Sequence, residues 1–137
     1  LVENGAMGQK TGVGVYKYEK GDRRPHPSEE TSRIIADVQE ENKKEARQID
    51  SDEITERLIL RMVNEGFHIM EEGIAQRESD LDAAMVLGTG FPDFRGGVMK
   101  YARDAGLDNV IDRLDELSNK FGKRFLPCEY MREQKGQ

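Results

Sequence analysis

The sequence is poor in the residues that build disulfides, metal centres and membrane spans. Its 137 residues include one cysteine, Cys128, so no internal disulfide can form, which fits a reducing compartment. The two histidines, His26 and His68, lie in different segments with no other His or Cys at ligand spacing, and no metal site is expected. No apolar run approaches the roughly 20 residues that cross a bilayer, and the first residues lack the apolar core of a signal peptide, so neither a membrane span nor export is expected. A basic excess is missing as well. With 21 Lys and Arg against 27 Asp and Glu, the net charge of -6 argues against binding nucleic acid, which needs clustered cations to neutralise phosphates.

What remains is a chain with 36% hydrophobic and 35% charged residues, a balance that suits helices with a heavily solvated outer face. The longest amphipathic run starts at Glu53. Ile59, Val63, Phe67, Met70 and Ile74 recur at three- and four-residue spacing, with Ile54, Leu58, Met62 and Ile69 in a neighbouring row, which predicts a central core helix with one broad apolar stripe. Asp50 and Glu53 stand at capping-box-like spacing before it, and Gly73 is its expected stop. Gly66 inside this helix costs about 1 kcal/mol relative to alanine, so a closely packed neighbouring backbone is expected there.

Three more helices follow in the pattern. Ser79 opens one that runs to about Leu87, burying Leu81, Ala84 and Met85 and ending at Gly88 and Gly90. The bend Phe91-Pro92-Asp93-Phe94-Arg95-Gly96-Gly97 leads to another lined by Val98, Tyr101, Ala102 and Ala105. The last starts near Asp108, presents Val110, Leu114, Leu117 and Phe121, and stops at Gly122. The tail from Lys123 has an apolar start suited to docking and a polar end expected to fray.

Upstream the signals are thinner. Asn4-Gly5 closes a helical turn, Gly8, Gly12 and Gly14 open a bend, and Val15 to Tyr18 read as a short extended strip. The glycines do not make a phosphate loop: Lys17 stands where a third glycine would be required, no strand precedes the run and no helix follows it. Lys20 to Pro27 is a polar linker, and Ser28 caps a charged helix with only Ile34, Ile35, Val38 and a few alanines on its apolar face. Such a helix connects, or recognises a partner.

Carboxylates are abundant at Glu65, Glu71, Glu72 and Asp93, and their number dilutes any one as an acid or base. His68 borders the apolar rows and suits a partly buried hydrogen-bonding role better than that of a base; Asn64 and Arg57 suit bridging to helix ends better than ligand binding; Cys128 reads as a buried, inert thiol.

One ordered set of motifs is more specific. Gly8-Gln9-Lys10-Thr11-Gly12-Val13-Gly14-Val15-Tyr16-Lys17-Tyr18 resembles the segment that closes the C-terminal domain of 3-hydroxyacyl-CoA dehydrogenases. Asn64-Glu65-Gly66, Glu71-Glu72-Gly73-Ile74-Ala75, Asp80 to Met85, and Gly88-Thr89-Gly90-Phe91-Pro92 with Arg95-Gly96-Gly97 resemble a second copy of that domain. Tandem copies mark the multifunctional fatty-acid oxidation enzymes. The resemblance therefore implies an all-α, compact helical domain with a short irregular N-terminal segment: residues 1–19 end a first helical copy, 20–49 form a linker and connecting helix, and 50–137 form the second copy. It also implies a piece of a longer polypeptide in which NAD and the catalytic His and Glu belong to upstream domains. No catalytic, cofactor-binding or metal-binding residue is then expected in these 137.

In the family, the first helix of the first copy contributes an asparagine followed by an arginine to the active site, and laying the copies on one another puts Glu56 and Arg57 there. A carboxylate in place of an amide donor cannot polarise a substrate carbonyl, so a degenerate position is expected. Gly88, Gly90, Pro92, Gly96 and Gly97 are expected to shape a structural bend. The implied partners are the upstream domains, acyl-CoA in the parent chain and a second copy of the same protein. The implied location is intracellular: cytoplasmic, or peroxisomal or mitochondrial in a eukaryote.

Overall fold

A computed structural model describes residues 1–22, 24–43 and 45–136. Arg23, Lys44 and Gln137, which fall in the expected linker, the charged helix run and the tail, lie outside the described residues. The chain forms two compact units, Leu1–Gln48 and Ile49–Gln137. Regular structure is helical throughout, and among the described residues β-pairing is confined to isolated bridges.

In the first unit the opening turn is closed as helices are closed. Ala6 N–H donates to the Leu1 carbonyl at 3.0 Å and Gly5 N–H to that of Val2 at 2.9 Å, with Gly5 at φ 73°, the paired bonds of a left-handed helix stop. A tight loop follows. The Thr11 hydroxyl accepts from Met7 N–H at 3.0 Å and lies against the carbonyls of Gly8 and Val13. A Cβ on Gly14 would stand 2.6 Å from Gly8 Cα, so the glycines serve a backbone crossing. The expected strip is reduced to isolated bridges at Lys17, one with Val13 and one with His26, and in the second Lys17 and His26 exchange backbone bonds at 2.8 and 2.9 Å. Helix α1, Glu29–Glu41, begins at Ser28, whose hydroxyl accepts from Thr31 N–H at 3.2 Å. The Thr31 hydroxyl donates onward to the Gly14 carbonyl at 2.7 Å, tying helix to loop. Ile35 and Val38 of α1 remain exposed, as a thinly packed helix requires.

The second unit holds the core. Helix α2, Ser51–Glu71, starts where Asp50 accepts from Glu53 N–H at 2.7 Å and closes at Gly73, φ 68°. Helices α3, Glu78–Thr89, and α4, Val98–Ala105, are joined by the bend; α5, Leu107–Phe121, follows directly. The expected four core helices become five, because Cys128 caps a short α6, Glu129–Glu133, through Met131 N–H. The tail docks more deeply than its composition suggested: Phe125, Cys128 and Met131 are core residues.

The stripe on α2 is rotated from its expected position. Of the expected rows, Val63 and Phe67 are buried and Ile59, Met62, Ile69 and Met70 pack against the core, but the most buried line runs through Leu60, Val63, Asn64 and Phe67, while Ile54 and Leu58 are exposed and Ile74 projects beyond the helix end. Apolar residues occupy more than one face of α2, and periodicity alone does not say which face meets α4 and α5. Ala84 and Ala105 are likewise exposed; the buried member of the first turn of α3 is Asp82 beside Leu81. That helix also starts earlier than Ser79, at Arg77, whose guanidinium pairs with Asp80. Gly66 does mark a close approach, but of side chains: an added Cβ would lie 2.9 Å from Met99 Sδ and 3.2 Å from Leu81 and Val98 carbons.

Candidate functional site

Four places in the second unit concentrate polar groups, and helix geometry positions each. The first surrounds Glu56, one turn into α2. Its carboxylate receives both Nε and Nη2 of Arg113 on α5, at 2.8 and 2.7 Å. This two-point grip holds the Glu56 carboxyl below its ordinary pKa; partial burial opposes it, and the charge of Arg113 adds to it. Arg113 also reaches Glu116. Arg57, the next residue, turns the other way: its guanidinium lies 4.0 Å over the Phe121 ring and 3.4 Å from Glu53. The open depression beside them, about 470 Å³, is walled by Asp50, Asp52, Glu53, Glu56 and Glu116 with Arg113 and Lys120. A surface so rich in carboxylates repels phosphates and other anions.

A second depression, about 280 Å³, lies on the far flank of α2. Ile54, Leu58 and Phe125 floor it and Arg57, Arg61 and Arg124 edge it.

The third place is the bend. Asp82 Oδ1 accepts from Met99 N–H at 2.7 Å and Oδ2 from Lys100 N–H at 3.0 Å, so a buried carboxylate from α3 caps the start of α4. Gly97 sits at φ 115°, and a Cβ there would fall 2.3 Å from that carboxylate. Gly90 and Gly96 also take left-handed backbone, at φ 75° and 76°, whereas Gly88 lies within the last turn of α3 in open space. Phe91 is buried; Pro92 leads into a helical turn in which Phe94 points to solvent. Asp82 was the residue sequence reasoning missed. It lies in a stretch quoted for its resemblance, and its signal was an acid preceding a glycine-rich helix start that has no capping side chain of its own.

The fourth place joins residues far apart in sequence. His68 and Glu71, one turn apart near the end of α2, approach Cys128 at the start of α6, and one ligand atom from each lies within 4.8 Å of the others. Burial lifts the Cys128 thiol above its ordinary pKa, so it is protonated at neutral pH. Glu71 is pushed down chiefly because it accepts from Tyr130 N–H at 2.9 Å. Asn64 is wholly buried and donates to the Leu126 carbonyl at 2.9 Å, bridging α2 to the tail. Of the other expected candidates, Glu65 pairs with Arg61, while Glu72 and Asp93 sit at helix and turn termini.

Comparison with known proteins places this architecture. The family model for the 3-hydroxyacyl-CoA dehydrogenase C-terminal domain matches residues 54–135. The chain is 36% identical over 138 residues to the peroxisomal fatty acid beta-oxidation multifunctional protein AIM1 of Arabidopsis thaliana, covering 97% of this chain and 19% of that protein. It is 37% identical over 136 residues to the peroxisomal bifunctional enzyme of Cavia porcellus, with the same shares. The fatty acid oxidation complex subunit alpha of a Psychrobacter species is 34% identical, at 97% and 18%. The crystal structure of the dehydrogenase part of multifunctional enzyme 1 from C. elegans superposes with a TM-score of 0.67 at 25% identity, over 96% of this chain and 30% of that one. The chain thus spans about a fifth of the length of the curated relatives it matches.

Proposed function

The chain belongs to the 3-hydroxyacyl-CoA dehydrogenase C-terminal-domain family, and from that premise we propose that it is the helical C-terminal portion of a longer multifunctional enzyme of fatty-acid β-oxidation. On this reading NAD and acyl-CoA are bound by domains outside these residues, and the module supports those catalytic domains without chemistry of its own. The single observation that carries the division of labour is the state of Glu56. Where the family's resemblance assigns an amide donor, this chain has a carboxylate gripped at both oxygens by Arg113. An ionised carboxylate only accepts hydrogen bonds, so it cannot stabilise the oxygen of a 3-keto or 3-hydroxy group in place of asparagine. The carboxylate-lined depression beside it also suits no CoA phosphate.

The first unit supports the same reading. Its buried residues among those described are Gly14, Ser28 and Thr31, with no apolar side chain, which is what the closing segment of another domain would present by itself. The parent's compartment follows its lineage: peroxisomal, as the names of the plant and animal relatives indicate for them, or cytoplasmic in a bacterium.

The 137-residue chain, mixed with 3-hydroxyacyl-CoA and NAD and followed at the absorbance of reduced nicotinamide, is expected to give no turnover. Measurable NAD reduction that persists after purification to homogeneity would overturn the proposal. In the parent enzyme, Glu56→Gln is expected to leave kcat and KM within about twofold, since an interaction that touches no reacting atom carries no transition-state energy.

A second reading, self-association, rests on the apolar surface at Ile54, Leu58 and Leu126, which are 47%, 62% and 50% exposed. Light scattering separates the two: a monomer at high concentration removes it.

A further inference from the structure

We infer that His68, Glu71 and Cys128 form a binding site for a zinc-class divalent cation that ties the end of α2 to the start of α6. Nothing in the dehydrogenase reading requires such a site, and no isolated stretch of sequence announces it. Three donors of different chemistry converge: an imidazole nitrogen, a carboxylate oxygen and a thiol sulfur, with ligand atoms within 4.8 Å of one another. This mixed nitrogen, oxygen and sulfur set favours Zn²⁺ or its spectroscopic substitute Co²⁺ over the hard cations Mg²⁺ and Ca²⁺, which take oxygen alone.

The geometry is close to what tetrahedral coordination asks. Arms of about 2.0–2.1 Å to nitrogen and oxygen put those two ligands about 3.4 Å apart. His68 Nδ1 and Glu71 Oε2 are 3.4 Å apart. Cys128 Sγ then needs to close by at most about 1.2 Å from the 4.8 Å bound, since an arm of about 2.3 Å to sulfur sets its distance to the others near 3.6 Å. The chain already fixes the three side chains from behind. Tyr130 N–H holds the other Glu71 oxygen at 2.9 Å, Met131 N–H points at Sγ from 3.4 Å, and His68 and Glu71 occupy consecutive turns of one rigid helix.

The site is also open on one side only. Cys128 is 5% exposed, whereas the side chains of His68 and Glu71 are 36% and 34% exposed. A cation can therefore enter from solvent, displace the thiol proton to water and keep a fourth position for a water molecule. The expected consequence is structural, a clamp on the tail, with no role assigned to the cation in oxidation of substrate.

The test uses the whole 137-residue chain. Competition against a chromophoric chelator should give one Zn²⁺ per chain, and Co²⁺ should produce the near-ultraviolet absorption of a thiolate-to-cobalt bond. Cys128→Ser, which keeps an oxygen cap for α6, should abolish that band and weaken Zn²⁺ by at least about tenfold, the loss that removing even an outer partner of a metal ligand causes. His68→Gln, changed at a half-exposed position that leaves the core intact, should weaken Zn²⁺ similarly. His26→Gln should change nothing, although His26 lies 3.5 Å from Asp22. Saturating Zn²⁺ should raise Tm of the parent chain and slow amide exchange in α6, and should do neither in His68→Gln. A cobalt spectrum without the thiolate band, or equal Zn²⁺ affinity in the parent and His68→Gln, would overturn the site. Neither result touches the dehydrogenase reading, which rests on Glu56.

Discussion

The two units of this chain are held together in different ways. In Ile49–Gln137, Val63, Phe67, Met99, Leu114 and Met131 are wholly buried, and α2, α4, α5 and α6 share one apolar core. In Leu1–Gln48 the fixed points are a glycine crossing at Gly8 and Gly14, the Thr11 hydroxyl and the Ser28–Thr31 cap, while Ile35 and Val38 face outward. Hydrogen bonds to backbone contribute only about 1 kcal/mol each in net terms, whereas burying one large apolar side chain contributes about 1.5–3 kcal/mol. Packing therefore stabilises the second unit on its own account. The first has direction and local shape, but little to resist unfolding.

The largest effect that separates the two comes from paired alanine substitutions. Phe67→Ala removes a ring from the centre of the core and is expected to cost about 3–5 kcal/mol. Ile35→Ala, in the exposed row of α1, is expected to stay within about 0.5 kcal/mol. Urea titration followed by far-ultraviolet circular dichroism measures both. A cost at Ile35 comparable to that at Phe67 would break the comparison, because it would reveal a core in the first unit.

Next in size is the carboxylate cap within the second unit, where Asp82 is the one buried carboxylate among the described residues. Asp82→Ala strips the acceptor from two backbone N–H groups, one of them buried, for about 2–3 kcal/mol. Gly97→Ala is expected to cost a similar amount, about 2–3 kcal/mol, from backbone strain at φ 115° and from collision with the Asp82 carboxylate. The two share one contact. The double variant should therefore cost clearly less than the sum, and strict additivity would show that the Asp82–Gly97 approach is not what makes glycine necessary.

These residues also show what could be read in advance. Caps were legible at Ser28 and Asp50 because their partners lie three residues away, and helix stops at Gly5, Gly73 and Gly90 because left-handed backbone selects glycine. The bend around Gly96 and Gly97 was recognisable as a shape. Its reason was not, since Asp82 reaches it across tertiary space. The rotated stripe on α2 has the same origin: Leu58 and Leu60 are equally apolar in sequence, and only the placement of α4 and α5 decides that Leu60 is buried. The gathering of His68, Glu71 and Cys128 was out of reach for the further reason that α6 itself was unexpected. Five residues beginning at a cysteine cap carry too little periodicity to signal a helix.

A smaller and more local effect is expected at Gly14. Alanine there collides with backbone at Gly8, which no side-chain rotation relieves. Amide exchange from residues 8 to 31 should accelerate as the crossing and the Thr31–Gly14 bond are lost, while the urea midpoint of the second unit stays put. A shift of that midpoint by more than the Ile35→Ala variant produces would show that the units unfold together.

The smallest effect concerns the Glu56–Arg113 pair, an ion pair that joins α2 to α5. Its side chains are 30% and 48% exposed, so solvent and salt screen it, and Arg113→Gln is expected to cost no more than about 1 kcal/mol at neutral pH. The pH dependence identifies the source. Arg113 depresses the Glu56 pKa in the folded chain, so the unfolded chain takes up the proton first as pH falls from neutrality. The stabilisation is then complete above the ordinary carboxylate value near 4.5 and is lost as pH drops through the lower, folded value. Parent and Arg113→Gln should accordingly differ in urea midpoint at pH 7, and the difference should shrink steadily as pH falls below the ordinary carboxylate value of 4.5. A gap that does not shrink as pH falls below 4.5, or one several-fold larger at neutral pH, would mean that Arg113 acts through packing of its stem against α2 rather than through its charge. Charge would then be incidental even at the position where the family's resemblance puts an active-site amide.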